Sequence, residues 1–114
     1  MPLFKLSTNK SIDSQKQQEF LQKASSLIAE KLGKNEQYVM TLCVPGLPMT
    51  FSGKEEHCAY CELKSIGLQP NQTPVLSKAI SLLIEEELNI PSERIYIEFS
   101  NAERAYWGWN KSTF

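Results

Sequence analysis

The chain is doubled. Residues 56 positions apart carry matching punctuation: Leu27, Ile28 and Leu32 fall on Leu83, Ile84 and Leu88, Gly33 falls on Asn89, and Val39 and Cys43 fall on Ile95 and Phe99. Pro2 falls on Cys58. Each half reads as strand, helix, strand. Pro2 to Thr8 alternates loosely, as a short strand does. Phe20, Ala24, Ile28 and Leu32 recur every four residues, so the spacing predicts a helix from about Ser14 to Leu32. Gly33 suits the left-handed position just past its end. Tyr38 to Val44 is β-branched and apolar enough for a strand, and Pro45-Gly46-Leu47-Pro48 ends it. In the second half His57 to Ile66 predicts a strand. Thr73-Pro74 predicts a helix start with a hydroxyl N-cap. Val75, Leu76, Ala79, Ile80, Leu83 and Leu88 mark that helix, which Asn89 and Pro91 stop. Arg94 to Ser100 predicts a strand, and Tyr106-Trp107-Gly108-Trp109 a short final one.

Strand, crossover helix and parallel strand form one unit. Two units predict an α+β fold, a tandem β-α-β repeat with a four-stranded sheet and both helices on one face. The 114 residues make a single domain, with pseudo-repeats over about 1–56 and 57–114. The other face of the sheet lies bare, and its apolar residues need a cover. Three subunits packing sheet edges and faces together would supply it, so a homotrimer is expected.

Composition excludes several classes. Lys plus Arg is 12 and Asp plus Glu is 13, a net charge of −1, which gives no long-range field toward nucleic acid. No stretch approaches the roughly 20 apolar residues that cross a bilayer, so no membrane partner is expected. MPLFKLSTNK lacks a basic segment followed by an apolar one, so no secretory leader is expected. Cys43, Cys58 and Cys61 are an odd set, which suits free thiols in a reducing, cytoplasmic setting. One histidine and three cysteines make no zinc site, and no metal or other cofactor is expected.

The chemistry begins at residue 2. Trimming of the initiator methionine would leave Pro2 as a free secondary amine at the mouth of a strand. A free α-amine titrates near ~8. Apolar burial and a neighbouring ammonium both disfavour its charged form, which brings it into the working range of a general base at neutral pH.

Seven segments occur in order: Pro2-Leu3-Phe4, Gly33-Lys34 with Tyr38, Pro48-Met49-Thr50-Phe51-Ser52-Gly53, Cys58-Ala59-Tyr60-Cys61, Ser65-Ile66-Gly67, Arg94-Ile95-Tyr96-Ile97, and Trp107-Gly108-Trp109-Asn110-Lys111-Ser112-Thr113-Phe114. With these the chain resembles, end to end, the macrophage migration inhibitory factor family of the tautomerase superfamily. The resemblance implies a trimer of β-α-β-β-α-β subunits. It implies a keto–enol tautomerase, without cofactor, for phenylpyruvate-type 2-oxo acids and dopachrome derivatives. Pro2 is then the base and acid. Lys34 pairs with the substrate carboxylate and depresses the Pro2 pKa. The Ile66 N–H bonds the substrate, and Tyr96 of a neighbouring subunit reaches its polar end. Tyr38, Trp109 and Phe114 line an aromatic pocket.

Taken singly, these residues have plainer readings: Lys34 as a solvated charge beyond a helix cap, Tyr38 and Tyr96 as strand core, Trp109 and Phe114 as tail packing. Two positions depart from the family's cytokine members. Glu98 stands where they have Asn, and a carboxylate there repels an acidic substrate or turns away to bind a lysine. Trp107 stands where they have Val and would narrow or cap the pocket. Cys58 and Cys61 match a C-x-x-C redox spacing, but in a strand residues three apart point to opposite faces, which favours two buried small side chains. His57 reads as a loop or strand-end residue. Asn71-Gln72-Thr73 and Asn110-Lys111-Ser112 match a glycosylation sequon that a leaderless chain does not present. Three functions are therefore weighed: a tautomerase using Pro2, a cytokine-like protein secreted by a leaderless route that binds a cell-surface receptor, and a thiol oxidoreductase using Cys58 and Cys61.

Overall fold

The computed structural model describes all residues, Met1–Phe114. Strand β1 (Leu3–Thr8) leads into helix α1 (Ser14–Leu32) and strand β2 (Met40–Val44). Strand β3 (Ala59–Ile66), helix α2 (Thr73–Leu88) and strand β4 (Ile95–Ala102) repeat the pattern. A small hairpin, β5 (Gly108–Trp109) and β6 (Ser112–Thr113), ends the chain. The sheet order is β2-β1-β3-β4. Within each unit the strands are parallel, and β1 and β3 meet antiparallel at the centre. The duplication extends to the caps: Gly33 at φ 63° and Asn89 at φ 56° both close their helices in the left-handed region.

Both helices cover one face. Phe4, Leu6 and Thr8 of β1 and Ala59, Cys61, Leu63 and Ser65 of β3 point into it and are buried. They meet Phe20, Ala24 and Ile28 of α1 and Leu76, Ile80, Ile84 and Leu88 of α2 in one core. Each fully buried Leu, Ile or Phe contributes about 1.5–3 kcal/mol relative to its exposed state. The other face is uncovered, as expected, but less apolar than expected. Met40, Leu42 and Val44 make its β2 side, whereas Lys5, Glu62 and Glu98 stand in one cross-strand row from the central β1 out to the β4 edge.

Several boundaries differ from the sequence reading. Glu36–Tyr38 winds into a 3-10 turn capped by Asn35, so β2 starts at Met40 and Tyr38 precedes it. β3 starts at Ala59, and His57 lies in the exposed turn before it. Thr73 is the first helical residue of α2, not its N-cap; Gln72 takes that place, and the Thr73 hydroxyl donates back to the Pro70 carbonyl at 3.0 Å. The tail forms a hairpin of two short strands rather than one.

Candidate functional site

The β1 register sets the location of Pro2. The Met40 N–H donates to the Pro2 carbonyl at 3.0 Å, which ties the chain start to β2. On the other side β1 runs antiparallel to β3 with Leu3 opposite Lys64. One further step of that register sets Pro2 opposite Ser65, and two set Met1 opposite Ile66. The chain start thus enters a slot between β2 and β3 at one end of the sheet. Pro2 is fully buried there, on the helix-covered side with Phe4.

Beside Pro2 opens a cleft of about 310 Å³, lined by Met1, Leu3, Gln37, Tyr38, Val39, Met40, Trp107, Gly108 and Trp109. The 3-10 turn after α1 supplies Tyr38 and the C-terminal hairpin supplies Trp109. Their rings meet edge to face with centroids 5.3 Å apart. Phe114 stacks on Trp109 at 5.3 Å and meets Tyr38 edge-on at 5.8 Å. Such contacts leave flat aromatic surfaces that match a phenyl ring. Trp107 lies in the cleft wall itself.

Lys34 follows the α1 cap, half-buried, and its Nζ donates to the Ile66 carbonyl at 3.1 Å. Lys34 and Ile66 are therefore joined, although through the Ile66 carbonyl and not the N–H that the resemblance assigns to substrate. The chain's terminal amine feels this ammonium. Burial, then Lys34, then Arg104 hold the Met1 amine below its ordinary value, since each disfavours a positive charge.

Tyr96 and Glu98 stand elsewhere. They lie on β4, at the sheet edge opposite β2, and Tyr96 pairs with Tyr60. From the Pro2 position this is roughly 16 Å along β3 and roughly 10 Å across the sheet, by standard strand spacings. The Tyr96 side chain is 66% exposed and rests on Phe51 at 5.0 Å, with Met49, Thr50, Cys58 and Tyr60 around a second, shallower cleft of about 430 Å³. Arg94 secures that corner by donating to the carbonyls of Phe51, Lys54, Glu56 and His57. Glu98 accepts from the Tyr60 hydroxyl at 3.3 Å. One chain thus gathers Pro2, Lys34, Tyr38, Ile66, Trp107, Trp109 and Phe114 about its start, and carries Tyr96 and Glu98 on its far edge.

All three cysteines are free. Cys58 is buried just ahead of β3, its N–H donating to Asn9 Oδ1 at 3.0 Å and its carbonyl accepting from the Thr8 hydroxyl at 2.7 Å. Cys61 is fully buried in the core, and that burial pushes its thiol pKa well up. A thiol so held has little thiolate to offer. No three His, Cys, Asp or Glu side chains gather about a common point. No helix is long and apolar enough to cross a membrane.

Two residues at the cleft escaped the sequence reading. Arg104 opens the 3-10 turn Arg104–Tyr106 that leads into Trp107. The Ser65 hydroxyl, opposite Pro2 by register, is buried with no hydrogen-bond partner. Arg104 gave no periodic signal, but its place three residues before a tryptophan of the pocket was a readable hint.

Residues 1–114 match the family profile described as Macrophage migration inhibitory factor (MIF). The macrophage migration inhibitory factor homolog of Brugia malayi is 42% identical over 118 residues, spanning 100% of this chain and 99% of its own. The macrophage migration inhibitory factor of Rattus norvegicus is 37% identical over 115 residues, again spanning 100% and 99%. Among solved structures, the macrophage migration inhibitory factor homologue from Prochlorococcus marinus superposes with a TM-score of 0.94 at 43% identity, covering 98% of each chain. Doubled fold, buried Pro2 and full-length similarity agree: the chain belongs to the macrophage migration inhibitory factor family, within the tautomerase superfamily.

Proposed function

We propose that the protein is a tautomerase that interconverts the keto and enol forms of phenylpyruvate-type 2-oxo acids, and of dopachrome derivatives, with the Pro2 nitrogen as the proton carrier. The observation that carries this is the setting of the chain start: Pro2 at an aromatic cleft, near Lys34, where burial and the neighbouring cations hold the Met1 amine below its ordinary pKa. While Met1 is attached, the Pro2 nitrogen is an amide and has no basic lone pair. Removal of Met1 turns it into a secondary amine in the same slot. A neutral amine there takes the proton from the carbon next to the oxo group and returns it to the oxo oxygen. The reverse order gives the ketone from the enol, and no atom is gained or lost in either direction. Such proton transfer by a positioned base is worth typically about 10²–10⁴-fold.

The other residues position the substrate. The Lys34 ammonium meets the carboxylate as a charge-assisted hydrogen bond donor. Tyr38, Trp109 and Phe114 take the ring, and Trp107 narrows the entrance. The position of Tyr96 supports a site shared between subunits of a homotrimer, since the exposed β4 edge of one chain is then free to reach the cleft of the next. The test is the loss of enol absorbance of phenylpyruvate. Protein beginning at Pro2 should turn it over, and a Pro2→Gly variant should lose about 10²-fold or more; equal rates would remove Pro2 from the reaction.

A second reading, a signalling protein that binds a cell-surface receptor, is favoured by the names of the rat and filarial relatives. Receptor binding by the Pro2→Gly variant would separate signalling from turnover.

A further inference from the structure

The sheet closes on the start of its own chain. β1 is an inner strand, flanked by β2 and β3, and from Leu3 onward it is paired on both sides: Leu3 stands beside Met40 and opposite Lys64. Pro2 is fully buried, and its carbonyl accepts from the Met40 N–H at 3.0 Å. Two residues on, Phe4 is fully buried against Phe20, with ring centroids 6.4 Å apart. Met1 is half-buried and lines the aromatic cleft. The Met1–Pro2 bond is thus held at the mouth of a slot between two strands. Chain starts are cut readily where they are loose, and resist where an N-terminal strand is tied into a sheet. Here the bond abuts a buried residue of an inner strand, so freeing it means drawing Pro2 and Leu3 out of the sheet.

We propose that the Met1–Pro2 bond is a processing site open only before the sheet forms, cut by a methionine-specific aminopeptidase on the growing or unfolded chain and closed to it in the folded protein. The cut is a hydrolysis. Water adds across the amide, its hydroxyl going to the Met1 carbonyl carbon and its hydrogen to the Pro2 nitrogen, and free methionine leaves. The peptidase has to take the methionine side chain into a pocket of its own and meet the bond in an extended chain. In the fold that side chain lies against the cleft and the bond lies in the slot. The order of synthesis allows the cut. Leu3 gains its β3 partner only once Lys64 has been made, which at ~5–20 residues per second is roughly 3–13 s after Met1. A chain that folds first keeps Met1, and with it an amide at position 2 and a methionine in the cleft. The share of protein with a free Pro2 nitrogen is therefore set by a race between trimming and folding, not by later processing.

The test reads intact mass and does not depend on the reaction the cleft performs. Folded protein beginning at Met1, its folded Phe4→Leu variant and a peptide of residues 1–10 are each incubated with a methionine aminopeptidase. The peptide should lose its methionine at least about 100-fold faster than the folded protein, because the peptidase acts on the opened form alone. Phe4→Leu loosens the start of β1 and should be trimmed about tenfold faster than wild type. Folded wild type trimmed within a few-fold of the peptide overturns the proposal, since the slot would then be open. A peptide that resists as strongly as the folded protein overturns it too, since sequence and not fold would then protect the bond. A Phe4→Leu rate no higher than that of wild type does the same, because opening of β1 would not be what limits the cut.

Discussion

At the scale of single residues the sequence was most readable where backbone geometry forces an identity, and least where position alone gives a residue its meaning. Lys34 is the case in point. In the sequence it reads as any lysine after a helix cap, and only the resemblance singled it out. In the fold it is half-buried and bonded to Ile66 beside the chain start. At the chain start, burial of the Met1 amine and then the Lys34 charge both penalise its protonated form. In the proposed mechanism the base is the neutral Pro2 amine, which after loss of Met1 stands in the same setting, so a lowered pKa would extend activity toward acid. Lys34→Ala removes one penalty, the amine pKa climbs back toward ~8, and the acid limb of the kcat/KM profile moves to higher pH. The same variant should raise KM for the acid substrate. A limb that stays in place would separate the ammonium from the base. Arg104 offered only its place before Trp107 as a hint, because a charge in an irregular tail has no periodicity to mark it.

At the scale of elements, the helices were legible and the short turns were not. The four-residue apolar spacing and Gly33 fixed α1, and Asn89 fixed the end of α2. The start of β2 was misjudged because Glu36, Gln37 and Tyr38 are acceptable strand residues; the Asn35 side chain, accepting from the Gln37 N–H at 3.0 Å, is what pulls them into a turn. The C-terminal hairpin lacked the usual Asn-Gly signal. Its turn instead holds Asn110 at φ 50° and Lys111 at φ 68°, a left-handed pair that a lysine adopts at some cost. Two substitutions should therefore move stability in opposite directions. Gly33→Ala meets no atom within 4 Å, so its cost is the left-handed backbone alone, about 1 kcal/mol. Lys111→Gly relieves the same kind of strain and should stabilise by up to about 1 kcal/mol, tightening the turn under Trp109. Urea unfolding of the two variants checks both signs.

At the scale of the whole molecule, the duplication was visible because its caps repeat, and it dictated a sheet with one bare face. What the sequence could not give was the mixture on that face, since alternation says which side a residue takes but not which charges end up abreast. Lys5, Glu62 and Glu98 in one row favour a solvated or paired interior over a greasy one. The exposed β4 edge with Tyr96 supports the proposed homotrimer. Light scattering should give three times the 13.0 kDa chain mass, whereas a monomer would leave Tyr96 without a site to complete. Of all measurements, one bears most directly on the mechanism: enol turnover by two preparations whose intact masses show the chain starting at Pro2 in one and keeping Met1 in the other. The account predicts turnover from the first and none above background from the second. Equal rates from both would contradict it, because an amide nitrogen takes up no proton.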